Sequence, residues 1–265
     1  MMVLTPLLLL PSDQGHVTEG MVLIALFAAF FVLFEYGSTY PGLVEFRAAP
    51  PFNRVRFGIL FGTLLLVAVA CRAHVEPTAL SRLVAAVGYI LGQSMDFAFG
   101  PIRLIMWMLP EGTTMQEAAL VRTAAGLAYL VGLVGLTIFA ILIRLQSWPS
   151  PTGAFNVWVN LPTFDPTAGR DVVKRLKRDG ALNILLGLAM PYLTTPLAWF
   201  VGGSFGLSIL ESDLLLVWTM AIWAFLPVSM FLRGIAMRRL ALMISSKRRR
   251  LVAEDAAGDP AFLPA

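Results

Sequence analysis

The stretch Thr123–Ile143, TAAGLAYLVGLVGLTIFAILI, decides the fold. It holds no charged residue and is closed by Arg144. About 20 such residues in helical form cross the ~30 Å hydrocarbon layer of a bilayer. A helix that is apolar on every face is a buried helix or a membrane span, not a surface helix of a soluble domain.

Working outward, four comparable runs appear. Gly20–Tyr36 contains MVLIALFAAFFVLF, and Phe57–Cys71 (FGILFGTLLLVAVAC) ends at Arg72, marking a span of about 57–72. Ala181–Val201 and Leu214–Leu232 follow, the latter closed by Arg233. Arginines at such ends snorkel to the interface. A further region, Leu83–Pro110, is apolar but interrupted. Over the chain, 58% of residues are apolar and only 14% charged, against about 25% charged in soluble domains. The expected class is an all-α polytopic transmembrane helix bundle, one integral membrane domain over residues 1–250. The stretch VLTPLLLL near the start is short, contains a proline and has no Lys or Arg before it. A cleaved leader is therefore not expected, and Gly20–Tyr36 counts as a true span.

The interrupted region reads GYILGQSMDFAFGPIRLIMWMLP from Gly88. Gln93, Ser94 and Asp96 fall within one helical turn, and Gly100-Pro101 then breaks the helix. An ionisable group inside a span costs roughly 2.5–3.5 kcal/mol on insertion scales. One reading has Asp96, with Gln93, lining a solute or proton path. The favoured reading places Asp96 near the interface or pairs it with Arg103 across the break. Its polar residues make the segment at about 83–110 re-entrant or interfacial, leaving five full spans; six spans, with a crossing at 83–109, is the alternative.

Charge sets the orientation. Residues 144–265 hold thirteen Lys/Arg against eight Asp/Glu, while residues 1–143 hold seven against eight. Arg170, Lys174, Arg175, Lys177 and Arg178 lie in the loop 146–180, and Arg238, Arg239 and Lys247-Arg-Arg-Arg250 follow the last span. The connection 202–213 has acids only. Lys and Arg accumulate on the cytoplasmic side, so the 146–180 loop and the C-terminus are expected inside. The segment before the first span carries Asp13 and Glu19, and the loop after it Arg47, Arg54 and Arg56. An outside, periplasmic N-terminus follows. The Arg-over-Lys and Ala-rich usage suggests a bacterial source, hence the cytoplasmic (inner) membrane.

Several features invite functional readings. Pro191 and Pro196 interrupt the span at 181–201, and Thr194 and Thr195 are expected to satisfy some of the carbonyls they free. Broken helices build transporter sites but are commoner as plain kinks; Pro227 reads the same way. Asn183 is expected as interhelical glue. Gly58/Gly62, Gly88/Gly92 and the face Ala124, Ala128, Gly132, Gly135 allow close helix approach within the bundle.

The stretch Arg170–Asp179 is amphipathic, with Val172, Val173 and Leu176 on one face. It is expected to lie on the inner leaflet, with Lys174, Arg175, Lys177 and Arg178 contacting anionic lipid. Lys247, Arg248, Arg249 and Arg250 are expected to do the same from an extension of the last helix. Trp148, Phe155, Trp158 and Phe164 alternate with prolines in a loop expected to pack on the membrane face or a partner. The loop Phe34–Phe57 reads as an interfacial aromatic belt with structured turns. Residues 251–265 are expected to be disordered. Capping chemistry marks three helix starts: Thr114/Glu117, Asp165-Pro166 and Glu211–Asp213.

Chemistry-bearing motifs are scarce. His16 and His74 lie outside the expected spans, and Cys71 is the sole cysteine. No metal-ligand spacing, P-loop, dinucleotide fingerprint or GxSxG element occurs. No catalytic residue, cofactor or metal is expected, and the basic clusters are not assigned to nucleic acid. The leading functional expectation is a non-enzymatic accessory or scaffold subunit in the bilayer, possible partners being other membrane subunits. A small-solute or proton-coupled transporter or channel comes second, and a lipid- or envelope-modifying enzyme third.

Overall fold

The computed structural model describes residues 2–10, 15–40, 42–146, 148–149, 155–165, 171–205 and 208–258. All regular structure among them is helical. A short helix α1 (Thr5–Leu9) precedes α2 (Gly15–Gly37) and α3 (Phe52–Val75). Two short helices follow, α4 (Ala79–Ser94) and α5 (Pro101–Trp107), then the long α6 (Met115–Leu145). A single turn, α7 (Val157–Asn160), leads to α8 (Val172–Phe205) and α9 (Asp213–Gly258). Five helices, α2, α3, α6, α8 and α9, are long and apolar enough to cross a membrane. The chain is an all-α polytopic membrane protein.

Helix starts follow local chemistry. At α6 the Thr114 hydroxyl accepts from the Glu117 amide at 3.3 Å, and the Glu117 carboxylate accepts from the Thr114 amide at 2.7 Å, a full capping box. The start of α4 has the same reciprocal arrangement between Thr78 and Ser81. Asp213 lies in the first turn of α9, where the helix dipole favours an acid. The proposed start at Asp165-Pro166 falls partly outside the described residues, and the next helix begins only at Val172.

Packing fixes the direction of each crossing. Phe52, at the start of α3, meets Phe139, near the end of α6, with ring centroids 5.8 Å apart. Leu64–Cys71, late in α3, share a core with Val121–Ala128, early in α6. The two helices are therefore antiparallel, and Val75 and Met115 lie at the same face. The intervening segment enters and leaves on that face, so α4 and α5 form a re-entrant hairpin and not a sixth span. Helices α8 and α9 are likewise antiparallel. A Cβ added at Gly180 would lie 3.0 Å from the Gly234 carbonyl, and one at Gly187 would lie 3.0 Å from that of Pro227.

Two hydrophobic cores result. One joins the end of α3, the hairpin and the starts of α6 and α9, with Met2, Leu9 and Leu10 against it. The other sits at the opposite, basic face. There Phe46, Ala49 and Phe52 pack against Trp148, Leu161 and Phe164, and against Val173 and Leu176 of α8 and Leu240 of α9. Phe46 holds a left-handed backbone (φ 52°), a conformation disfavoured for a bulky residue. Its ring, 4.5 Å from Phe52 and 5.5 Å from Trp148, and its amide, bonded to the Asn160 carbonyl at 2.7 Å, hold it there.

Three expectations need correction at this face. The two aromatic loops do not simply form a membrane belt; their buried rings pack on each other, while Tyr40 and Trp158 remain exposed. The amphipathic stretch is not a separate helix lying flat. It is the first turns of α8, and its apolar residues Val173 and Leu176 are covered by protein. The expected disordered tail is helical as far as Gly258, as part of α9; residues 259–265 lie outside the described residues.

Helix α2 stands apart. Only 6% of its span is buried, and Leu23, Phe27, Phe30 and Leu33 are all more than 60% exposed. Its far end is nevertheless pinned. The Glu35 carboxylate accepts from the amides of Gly42, Leu43 and Val44 at 2.9–3.2 Å. Arg47 donates to the carbonyls of Glu35 and Ser38, each at 2.6 Å.

Candidate functional site

Polar chemistry inside the bundle is concentrated at two levels. At the hairpin, the break Met95–Gly100 brings Asp96 against two arginines. Oδ1 lies 2.7 Å from Arg103 Nε, and Oδ2 accepts from Arg122 Nε at 3.0 Å. Arg103 also donates to the Asp96 carbonyl at 2.9 Å. The Asp96 side chain is only 5% exposed. The expected Asp96–Arg103 pairing is present, but Arg122 supplies the second contact and was not anticipated. Its position just ahead of the uncharged run was the available signal. Gln93 does not join the group; its side chain is exposed on α4.

The hairpin is held against α6 by glycine. A Cβ on Gly126 would approach the Gly92 amide nitrogen to 2.5 Å and the Gly88 carbonyl to 2.7 Å. Backbone therefore meets backbone at this crossing, as small-residue motifs permit. That contact places Arg122 within reach of Asp96.

At the basic face a second group forms that the sequence did not suggest. Glu45, from the loop after α2, receives both Nε and Nη2 of Arg233 at 2.6 and 2.7 Å. Arg233 Nη1 donates to Asn183 Oδ1 at 3.1 Å, and the Thr163 hydroxyl donates to Glu45 at 3.1 Å. Asn183 in turn donates to the Asp179 carbonyl. The expected interhelical role of Asn183 is met by this link between α8 and α9. A fork-to-fork Arg–carboxylate pair is among the strongest of side-chain contacts. Here it ties four segments together. Arg56 lies beside it, its guanidinium 5.5 Å from the centroids of Phe52 and Phe225.

Beyond Arg233 the helix pair continues. Arg248 lies 15 residues further along α9, roughly 22 Å at 1.5 Å per residue, and meets Asp171, the residue just before α8, at 2.7 Å. The Arg248 guanidinium holds the Asp171 carboxyl below its ordinary range. Of the proposed lipid-contacting bases, three have partners within the chain. Arg175 lies over the Phe164 ring at 4.5 Å, Arg178 pairs with Asp179 and Arg248 with Asp171. Lys174, Lys177, Lys247, Arg249 and Arg250 are exposed.

Pro191 and Pro196 both lie inside the continuous α8, and Pro227 inside α9. A proline leaves the carbonyl four residues earlier without its helical donor. The freed carbonyls are those of Gly187, Tyr192 and Trp223. The threonine hydroxyls do not serve them: Thr194 donates to Met190 O and Thr195 to Pro191 O, at 2.7 and 2.6 Å. Thr195 instead accepts from Trp223 Nε1 at 3.0 Å, a cross-link between α8 and α9. Just below this link a cavity of about 220 Å³ opens between α6, α8 and α9, with Pro101 of the hairpin at its edge. Comparison with protein-family models, curated proteins and solved structures gave no match.

Proposed function

We propose that the protein is a non-enzymatic accessory or scaffold subunit of a membrane assembly, with α2 as its docking helix. The isolation of α2 carries this reading. In lipid, apolar helices do not associate by the hydrophobic effect; packing and small residues decide. This helix is anchored at its end by Glu35 and Arg47, yet leaves almost its whole apolar surface free of its own chain. Ala25 and Ala29 form a small-x-x-x-small pair on it. Its rigid attachment suits a helix held out for a partner span.

A solute or proton path through Asp96 is the second reading. It draws on the hairpin break, but both Asp96 oxygens are already engaged by arginines. For the third, lipid- or envelope-modifying chemistry, no grouping of side chains described above speaks in favour.

The test uses a photo-reactive residue in place of Phe30, with irradiation in cells and mild detergent extraction. The expected result is one membrane-protein adduct at defined stoichiometry, absent when the label replaces the buried Leu127. Adducts to lipid alone, with a lone monomer after extraction, would overturn the proposal.

We further propose that the membrane is the bacterial cytoplasmic one, with the basic face inside and the N-terminal face periplasmic. The support is the clustering of Lys174, Lys177, Lys247, Arg249 and Arg250 at one face. There they are available to anionic inner-leaflet lipid or to an acidic segment of a partner. A reporter fused after Ala265 should be active only if it functions in the cytoplasm; periplasmic activity would reverse the assignment.

A further inference from the structure

Prolines of two adjacent, uninterrupted helices line a single cavity. Gly187 and Pro191 of α8 and Trp223 and Pro227 of α9 all line it. The carbonyls that these prolines free, those of Gly187 and Trp223, thus belong to residues of the cavity wall. Buried carbonyls without donors cost about 1–3 kcal/mol each. The threonines that could have met them bond elsewhere. Tyr129 and Tyr192 add two phenols to the wall, and neither has a hydrogen bond among the described residues. The cavity wall therefore carries two phenols, and two residues whose carbonyls a proline deprives of the helical donor, in an otherwise apolar setting.

Size and shape narrow the ligand. An apolar cavity of about 150 Å³ takes up benzene, so about 220 Å³ accommodates one substituted ring. Leu133 and Leu188, which also line it, are 49% and 62% exposed and mark the mouth. They lie on membrane-spanning helices, so the mouth opens to lipid, leaving room for an alkyl tail. A plain acyl chain would fill the space but bring no donor. We propose that this cavity binds a membrane-dissolved aryl hydroxyl compound, an alkylated hydroquinone or phenol. Its ring packs beside the Tyr129–Trp223 pair, whose ring centroids lie 5.5 Å apart, and its hydroxyl donates to a proline-freed carbonyl. Binding here is independent of any partner on α2.

The probes are decyl-hydroquinone and its dimethyl ether, which has the same ring and tail but no donor. Binding is measured by equilibrium dialysis against the purified full chain in detergent. The hydroquinone should bind saturably at one per chain, at least about tenfold more tightly than the ether. The double variant Pro191→Ala, Pro227→Ala returns an amide donor to each freed carbonyl and should reduce that preference to about twofold or less, while ether binding persists. Replacing Leu188, at the mouth, by Trp should weaken both probes. Saturable binding of neither probe, equal affinity of the wild type for both, or an undiminished preference in the proline double variant would each overturn the proposal.

Discussion

Gly126→Ala should lower the thermal midpoint of the protein by roughly 6–12 °C. Its Cβ would lie 2.5 Å from the Gly92 nitrogen, a distance no side chain can accept. Neither neighbour is a flexible side chain that could swing away; both are backbone. The α4 helix must therefore move off α6, and Asp96 is drawn away from Arg122 with it. Overpacking of this kind costs about 1–3 kcal/mol, and the upper end applies because an ion pair is strained as well. For a chain of this size 1 kcal/mol corresponds to about 2–4 °C. The molecule carries its own reporter: Cys71 is the only cysteine and is completely buried. Its labelling by a thiol-reactive dye during heating follows loss of the α3–α6 core. Gly58→Ala is the comparison, since a Cβ there meets nothing within 4 Å. It should hold or raise the midpoint, because alanine is the better helix former by about 0.5–1 kcal/mol. Equal midpoints for the two variants would refute the close-contact account.

Glu45→Met should cost about 3 kcal/mol, and adding Arg233→Met should return more than half of that. The asymmetry comes from what each change leaves behind. Removing only Glu45 strands a guanidinium whose side chain is 30% exposed. Uncompensated charges of this type cost about 3–5 kcal/mol when fully buried, and the lower figure suits partial exposure. Removing both partners replaces a desolvated pair by apolar volume, which is often near neutral. The loop 42–49 should lose its protection in the single variant, seen as faster amide exchange there and as tryptic cleavage at Arg47. If the double variant is no more stable than the single one, Arg233 does not depend on Glu45.

The crossings were legible because each is a local property: an apolar run of the right length, in three cases ended directly by arginine. So was the hairpin, in outline, because Gly100-Pro101 cannot continue a helix and Asp96 cannot face lipid alone. What could not be read was pairing across the bundle. Arg122 is 26 residues from Asp96, and Arg233 is 188 from Glu45; no periodicity links such positions. The apolar stripe of Val172, Val173 and Leu176 shows a related limit. A stripe says that a helix face is covered but not by what, and here the cover is α9 and the aromatic loops instead of lipid. The proline-freed carbonyls were readable as a count, whereas their convergence on one cavity required the register of α8 against α9.

The re-entrant hairpin also dictates an order of manufacture. Residues 79–107 pack partly on α3, made before them, but Gly126 and Arg122, which complete their seat, are carried by α6, synthesised later. The hairpin's packing is therefore completed by back-filling, after the crossing that follows it has been made.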